Sequence, residues 1–325
     1  MMFRAALRLA SPPGAGGRLA IVIFHRVLPA PDPLFPGEVD AAQFARLCGW
    51  FKRWFQVLPL DQATERLKQG SLPARALAIT FDDGYADNHE VALPILLEHG
   101  LPACFFVASG FLDGGRMWND TVIEAVRHAR VARLDLDGWL PDGADGASSL
   151  ALDNWDDKRV AVQQLIDRLK YCELAQREHW AAELVQRSRA TPSTALMMST
   201  AQLRGLRGAG MQIGGHTVRH PILASLDRAE ARREMLQGRE ALQAALGEEI
   251  SLFAYPNGKP NTDFKAESVE LARELGFAAA FTTAWGAADG TSDPYQLPRF
   301  SPWDRDPLRW GLRMLGNYRR RPVRV

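Results

Sequence analysis

A chain of 325 residues, 46% hydrophobic and 24% charged, can bury a sizeable core without disulfides or a structural metal, as one large domain or two small ones. A net charge of +1 excludes the strong field of a nucleic-acid binder or of a protein built for an acidic partner. Cys48, Cys104 and Cys172 are odd in number and far apart. This excludes a disulfide framework or a thiolate zinc cluster and favours a reducing compartment.

Arg4 and Arg8 interrupt the apolar residues ahead of Pro12, and the run Leu19–Phe24 is too short to span a bilayer, with no cleavage pattern after it. Residues 1–18 therefore read as an extension, Leu19–Phe24 as the first core strand, and the protein as cytoplasmic. A Pro-rich loop follows, then a helix from Ala41 to Phe55 with Phe44, Leu47, Cys48 and Phe51 along one face. Val57–Leu60 reads as a short strand, and Asp61 as the cap of a helix ending near Gly70. Leu77, Ile79 and Phe81 read as the inward set of a strand running into Asp82. After it come a helix over 91–99, its stop at Gly100, and a strand over 103–107.

Residues 112–195 break this rhythm with a Gly- and Asp-rich loop and the polar helical stretches 156–174 and 176–189, predicting a helical insertion, not a separate domain. Alternation resumes with a helix over 199–208 and a strand over 211–214. A long charged helix, a strand over 250–255, a helix over 264–275 and a strand over 278–282 complete it. Six or seven strand–helix units predict a closed or nearly closed β/α barrel of parallel strands.

Two stretches carry chemistry. In AITFDDGYADN, Asp82 and Asp83 end a strand and Gly84 breaks it. Adjacent strand residues point to opposite faces, but at a strand end both acids can reach one cavity; the competing reading is a turn that caps the next helix. In MQIGGHTVRH, His216 and His220 follow a second strand and its glycine break. They would share a face if the segment turned helically after Gly215. Two imidazoles and one carboxylate suit zinc or another borderline divalent ion. Barrel active sites lie at the strands' C-terminal ends, where Asp82/Asp83, His216/His220 and Tyr255/Asn257 all fall. One acid would bind the metal and the other serve as base.

TFDDG followed by H-T-x-x-H resembles the polysaccharide deacetylase family (the NodB-homology domain, carbohydrate esterase family four), over residues 19–305 with the insertion inside. The resemblance implies a distorted (β/α)7 barrel and hydrolysis of sugar N-acetyl groups. It implies Asp82 as general base and Asp83, His216 and His220 as ligands of a divalent metal, usually zinc. The family's Arg-x-Pro-Tyr motif reads Ala254-Tyr255-Pro256-Asn257 here, so the base-orienting arginine is absent. The form looks like the poly-N-acetylglucosamine deacetylase branch, with the Asn257 N–H as an oxyanion donor and Tyr255 beside it. The last motif reads Leu297-Pro298-Arg299-Phe300 and lacks its general-acid histidine. In that branch the histidine moves to the start of the domain, where His25 stands.

Trp118 in the insertion, and Trp303 with Asp304, read as sugar-stacking or as packing residues. His89, His99, His128 and His179 fall in helical or inserted segments and receive no catalytic role. The tail 306–325 is basic and partly apolar; it reads as a docked, solvated helix or as a weak contact with an anionic membrane surface. The expected partner is an N-acetylated sugar polymer or oligosaccharide. The alternatives are a catalytically weak carbohydrate-binding or exopolysaccharide-assembly protein, or a deacylase of another amide or ester.

Overall fold

The computed structural model describes residues 2–139, 147–301 and 303–325; residues 140–146 of the Gly- and Asp-rich loop lie outside the described residues. The chain opens with α1 (Met2–Ala10), a helix where the sequence suggested only an extension. Then come β1 (Ala20–Phe24), α2 (Ala41–Trp54), β2 (Gln56–Val57), α3 (Leu60–Lys68), β3 (Ala76–Phe81), α4 (Leu93–His99) and β4 (Cys104–Val107). The insertion holds α5 (Trp118–Arg127), β5 (Arg133–Asp135), β6 (Ser149–Ala151), α6 (Trp155–Leu169) and α7 (Leu174–Arg187). The remainder is α8 (Thr200–Gly208), β7 (Gln212–Gly215), α9 (Arg228–Leu246), β8 (Leu252–Ala254), α10 (Ala266–Glu274), β9 (Ala279–Phe281) and α11 (Pro307–Asn317).

Several helices start where a side chain satisfies one of their free N–H groups. Asp40 accepts from the Gln43 N–H, Asp227 from Glu230, and Ser199 forms a reciprocal box with Gln202. The expected cap at Asp61 is different: the helix begins at Leu60, with Asp61 in its first turn.

The chain divides into two compact units. One comprises residues 1–30, 39–113 and 198–325; the other comprises Pro31–Glu38 and Gly114–Met197. The insertion thus forms a compact unit, with its own core of Val122, Leu134, Trp139, Leu165 and Leu184. It draws in Leu34 from the Pro-rich loop and includes an antiparallel β5–β6 pair absent from the helical reading.

In the first unit the parallel strands run in the order β1-β3-β4-β7-β8-β9, with β2 beside the start of β3. Both edges of this curled sheet pair with the same irregular segment: Leu297 bridges Phe281 and Phe300 bridges Val22, both in parallel sense. The barrel is closed by a seventh element that is too short to be a strand, which is how it is distorted. No helix among the described residues is long and apolar enough to cross a membrane.

Alternation along β3 sorts the core. Leu77, Ile79 and Phe81 pack with Phe44 and Phe51 of α2 and Leu96 of α4. They face the helix layer and not the barrel interior, correcting the inward assignment. Ala76 and Ala78 face the other way, with Cys104, Phe106, Leu252, Ala254 and Phe281. The basic tail is a docked helix: Trp310 and Met314 of α11 are fully buried, Trp310 against Phe51 and Trp54, while Leu308 and Leu312 stay exposed.

Candidate active site

Phe24 of β1 is in register with Phe81 of β3, so His25 and Asp82 lie one step beyond a paired rung at the strands' C-terminal ends. Asp82 continues the interior set of Ala76, Ala78 and Thr80. Continued alternation would turn Asp83 outward, but its φ of 78° bends the chain, and Gly84 follows at φ 92°. A side chain at Gly84 would meet Val107 Cγ1 at 2.8 Å. A left-handed non-glycine residue is uncommon and stored where the surroundings enforce it. This local reversal brings both carboxylates to the same cluster.

His216 and His220 are brought together without the expected helical turn. Residues 216–220 form an irregular loop after β7, with φ of 66° at Thr217 and 54° at His220. The two rings lie 4.8 Å apart. Asp83 Oδ1 is 3.4 Å from Nε2 of each imidazole, and it is buried with no hydrogen-bond partner. His216 Nδ1 lies 2.7 Å from the Ala254 carbonyl. That bond places a proton on Nδ1 and leaves the Nε2 lone pair free toward Asp83. One ligand atom from each of Asp83, His216 and His220 lies within 4.8 Å of the others. An orphaned carboxylate oxygen facing two imidazole lone pairs is a donor set that fits a divalent cation.

The electrostatics treat the two rings differently. Burial pushes His220 down to about 4, against the pull of Asp83, so the ring is neutral, as a ligand must be. His216 is also lowered by burial, but Asp82 and Asp83 outweigh it and hold the ring above its ordinary value. Burial raises Asp83, yet the two imidazoles hold its carboxyl well below the usual range.

Asp82 has a different partner. Arg299 grips it bidentately, Nη1 to Oδ1 at 2.6 Å and Nη2 to Oδ2 at 2.7 Å, with the guanidinium fully buried. Arg299 Nε donates to the Thr282 carbonyl at 3.1 Å, and the guanidinium lies over the Phe106 ring. Burial alone would raise the Asp82 carboxyl; the charge and hydrogen bonds of Arg299, together with the charges of His216 and His25, outweigh it and hold the group below its ordinary value. Ala254 stands where the family motif has its arginine, yet Asp82 does have an arginine partner in Arg299. The arginine comes from the barrel-closing segment, within the motif read only for its missing histidine. The sequence contained the residue, but pairing positions 217 apart required the barrel to close.

The other candidates are distributed unevenly. His25 is exposed at the end of β1, close enough for its charge to act on Asp82, Asp83 and His220. Its carbonyl accepts from Asn88 Nδ2 at 2.9 Å. Asn257 is exposed with φ 57°, its carbonyl held by Thr283 Oγ1 at 2.8 Å. Tyr255 is not open to substrate. Its ring is fully buried, stacks on Phe264 at 4.1 Å, and its hydroxyl donates to the Tyr295 carbonyl. Trp118 starts α5 in the second unit, with Arg177 4.9 Å above its ring. Trp303 is half exposed; it packs on Trp285 and lies under Arg313. His89, His99, His128 and His179 lie on or at the ends of helical segments.

A parallel β/α barrel with an Asp–His–His cluster and a separately anchored carboxylate at its C-terminal rim has the layout of a hydrolase. The family model for polysaccharide deacetylases matches residues 69–134 and 157–280, more than half of the chain. The chain belongs to that family and is a deacetylase, a hydrolase of carbon–nitrogen bonds other than peptide bonds. The YxkH protein of Bacillus subtilis (strain 168), itself only provisionally assigned as a polysaccharide deacetylase, is 20% identical over 284 residues, covering 87% of this chain and 70% of its own. Among solved structures, the Streptococcus pyogenes deacetylase PplD in complex with acetate is 18% identical, with a TM-score of 0.59, covering 87% of this chain and 92% of its own. IcaB from Ammonifex degensii is 19% identical, with a TM-score of 0.58, covering 95% of this chain and 99% of its own. At such identities the structures share the fold.

Proposed function

We propose that this chain removes N-acetyl groups from a polysaccharide or oligosaccharide in a reaction that depends on a divalent metal, with zinc the expected ion. The carrying observation is the division of labour between two adjacent acids. Asp82 is held by Arg299, whereas Asp83 Oδ1 is 3.4 Å from two imidazole nitrogens. Asp83, His216 and His220 would hold the cation, which supplies Lewis-acid character that acidifies water and polarises the amide carbonyl. Asp82 takes the proton from the attacking water; Arg299 fixes the plane of its carboxylate and keeps it ionised. The Asn257 backbone N–H is positioned after β8 to donate to the developing oxyanion. His25, exposed at the rim, delivers a proton to the departing nitrogen, without which an amine leaves poorly.

The Tyr255-Pro256-Asn257-Gly258 form, which looks like that of the poly-N-acetylglucosamine deacetylase branch, favours an exopolysaccharide as the polymer. The three free cysteines, two of them buried, support a cytoplasmic setting, which cell fractionation tests. The catalytically weak alternative drew on the missing arginine and the missing last-motif histidine, and Arg299 takes away the first of these supports. Acetate release from N-acetylglucosamine oligomers, lost on chelation and restored by zinc, is the expected result. Substrate binding without acetate release at any metal load would favour the binding-protein reading.

A further inference from the structure

We propose that Glu234 and Gly238 of α9 form the clamp that sets the separation of His216 and His220; the inference rests on the reading of those histidines as metal ligands. Glu234 is buried, and both of its oxygens are used on the loop between the two histidines. Oε2 accepts from the Val218 N–H at 3.0 Å and the Arg219 N–H at 2.9 Å, and Oε1 from Arg219 Nε at 2.9 Å. A carboxylate accepting two consecutive backbone N–H groups fixes the peptide planes between them, and with them the directions in which the flanking side chains leave.

One helical turn further on, Gly238 lets α9 lie directly on the loop. A Cβ there would stand 2.6 Å from the Thr217 carbonyl carbon and 2.7 Å from its oxygen. On the other side of the loop, Ser109 and Gly110 donate to the carbonyls of Thr217 and Val218 at 3.2 and 2.9 Å. Within it, the Thr217 hydroxyl accepts from the His220 N–H at 3.0 Å. Left-handed backbone at Thr217, a β-branched residue, and again at His220 persists only where the surroundings over-determine it. The clamp is what over-determines it here. Glu234 touches neither histidine; it is a positioning residue acting through two peptide bonds.

The test uses the purified full chain, with zinc affinity measured by competition with a chromophoric chelator. Glu234→Ala should weaken zinc binding about 10–100-fold, the usual effect of removing a group that orients a ligand. The visible spectrum of the cobalt(II)-loaded variant should change with it, reporting altered ligand geometry. Met235→Ala, on the same helix but against apolar neighbours, should lower thermal stability while leaving affinity and spectrum as in the parent. Unchanged affinity in Glu234→Ala, or equal loss in Met235→Ala, overturns the clamp. If Glu234→Ala does not fold, Glu234→Gln carries the comparison: it keeps an acceptor for the amides and loses the Arg219 pair, so a smaller loss is expected. A parent protein that takes up no zinc sinks the functional reading alone. In that case amide exchange decides, with Val218 and Arg219 protected in the parent and faster in Glu234→Ala, which removes their acceptor; equal rates overturn the clamp.

Discussion

Asp82 and His25 stand one residue beyond paired positions on neighbouring strands, yet their surroundings differ completely. Asp82 is buried and locked by two short bonds to a buried guanidinium, whereas His25 is exposed, with its backbone carbonyl accepting from Asn88. The Asp82 charge is satisfied before substrate arrives, because an unpaired buried charge is costly. Where a polymer must enter, a group that delivers a proton needs access and can take its final geometry from the substrate. In the proposed assignment, rigidity lies on the base and metal side, and openness on the acid side.

The largest effects should come from dismantling the metal side. His216→Ala or Asp83→Ala should abolish acetate release and stoichiometric zinc binding while far-UV circular dichroism stays native, since the apolar clusters do not depend on the cation. Full zinc content in His216→Ala would exclude it as a ligand.

The next step separates the base from the metal. Asp82→Asn should bind zinc and lose at least about a hundredfold in turnover. It should also destabilise the chain, because removing one partner leaves Arg299 buried and uncompensated, at a cost of about 3–5 kcal/mol. Normal stability in urea unfolding would show that Arg299 finds another partner.

The pH dependence sharpens the same contrast. Asp82 has a folded value below its unfolded one, so its contribution to stability is fully present above the ordinary carboxylate range, about 4. It is lost as pH falls through the lower folded value. The stability gap between the parent and Asp82→Asn should therefore hold from neutral pH down to that range and close only below it. In Arg299→Met, the largest opposition to burial is removed and the carboxyl rises. The acid limb of kcat/KM should move to higher pH, with activity partly recovered in alkaline buffer. An unmoved limb would remove Arg299 from the role of keeping Asp82 ionised.

The smallest expected effect is at His25. His25→Ala should retain zinc and substrate affinity and lose amide turnover about tenfold to a hundredfold, towards the low end of what a general acid contributes. An activated acetyl ester, whose leaving group needs little protonation, should be largely spared. Equal losses on both substrates would return His25 to a structural role.

The residue pattern itself carried the strand–helix alternation, the strand ends at Phe81 and Gly215, and the side chains that meet there. These are local properties: period-two burial, glycine breaks and capping residues are written within a few positions of where they act. The Asp-Asp-Gly and His-x-x-x-His spacings were legible for the same reason. Tertiary structure decided what depends on distant segments meeting. Leu77, Ile79 and Phe81 face the helices because the sheet curls and leaves the small and polar set inside. His216 and His220 converge through left-handed residues and not a helical turn, because α9 and the Ser109–Gly110 backbone hold the loop from two sides. Arg299 became the partner of Asp82 only once residues 297–300 closed the barrel between β9 and β1. Tyr255 matched a motif, but its ring turned into the α9–α10 core, since alternation at Ala254 had already used the interior direction. Side-chain chemistry was local information, whereas which face it served, and with whom, was settled by contacts between separate segments of the chain, 217 positions apart in the case of Asp82 and Arg299.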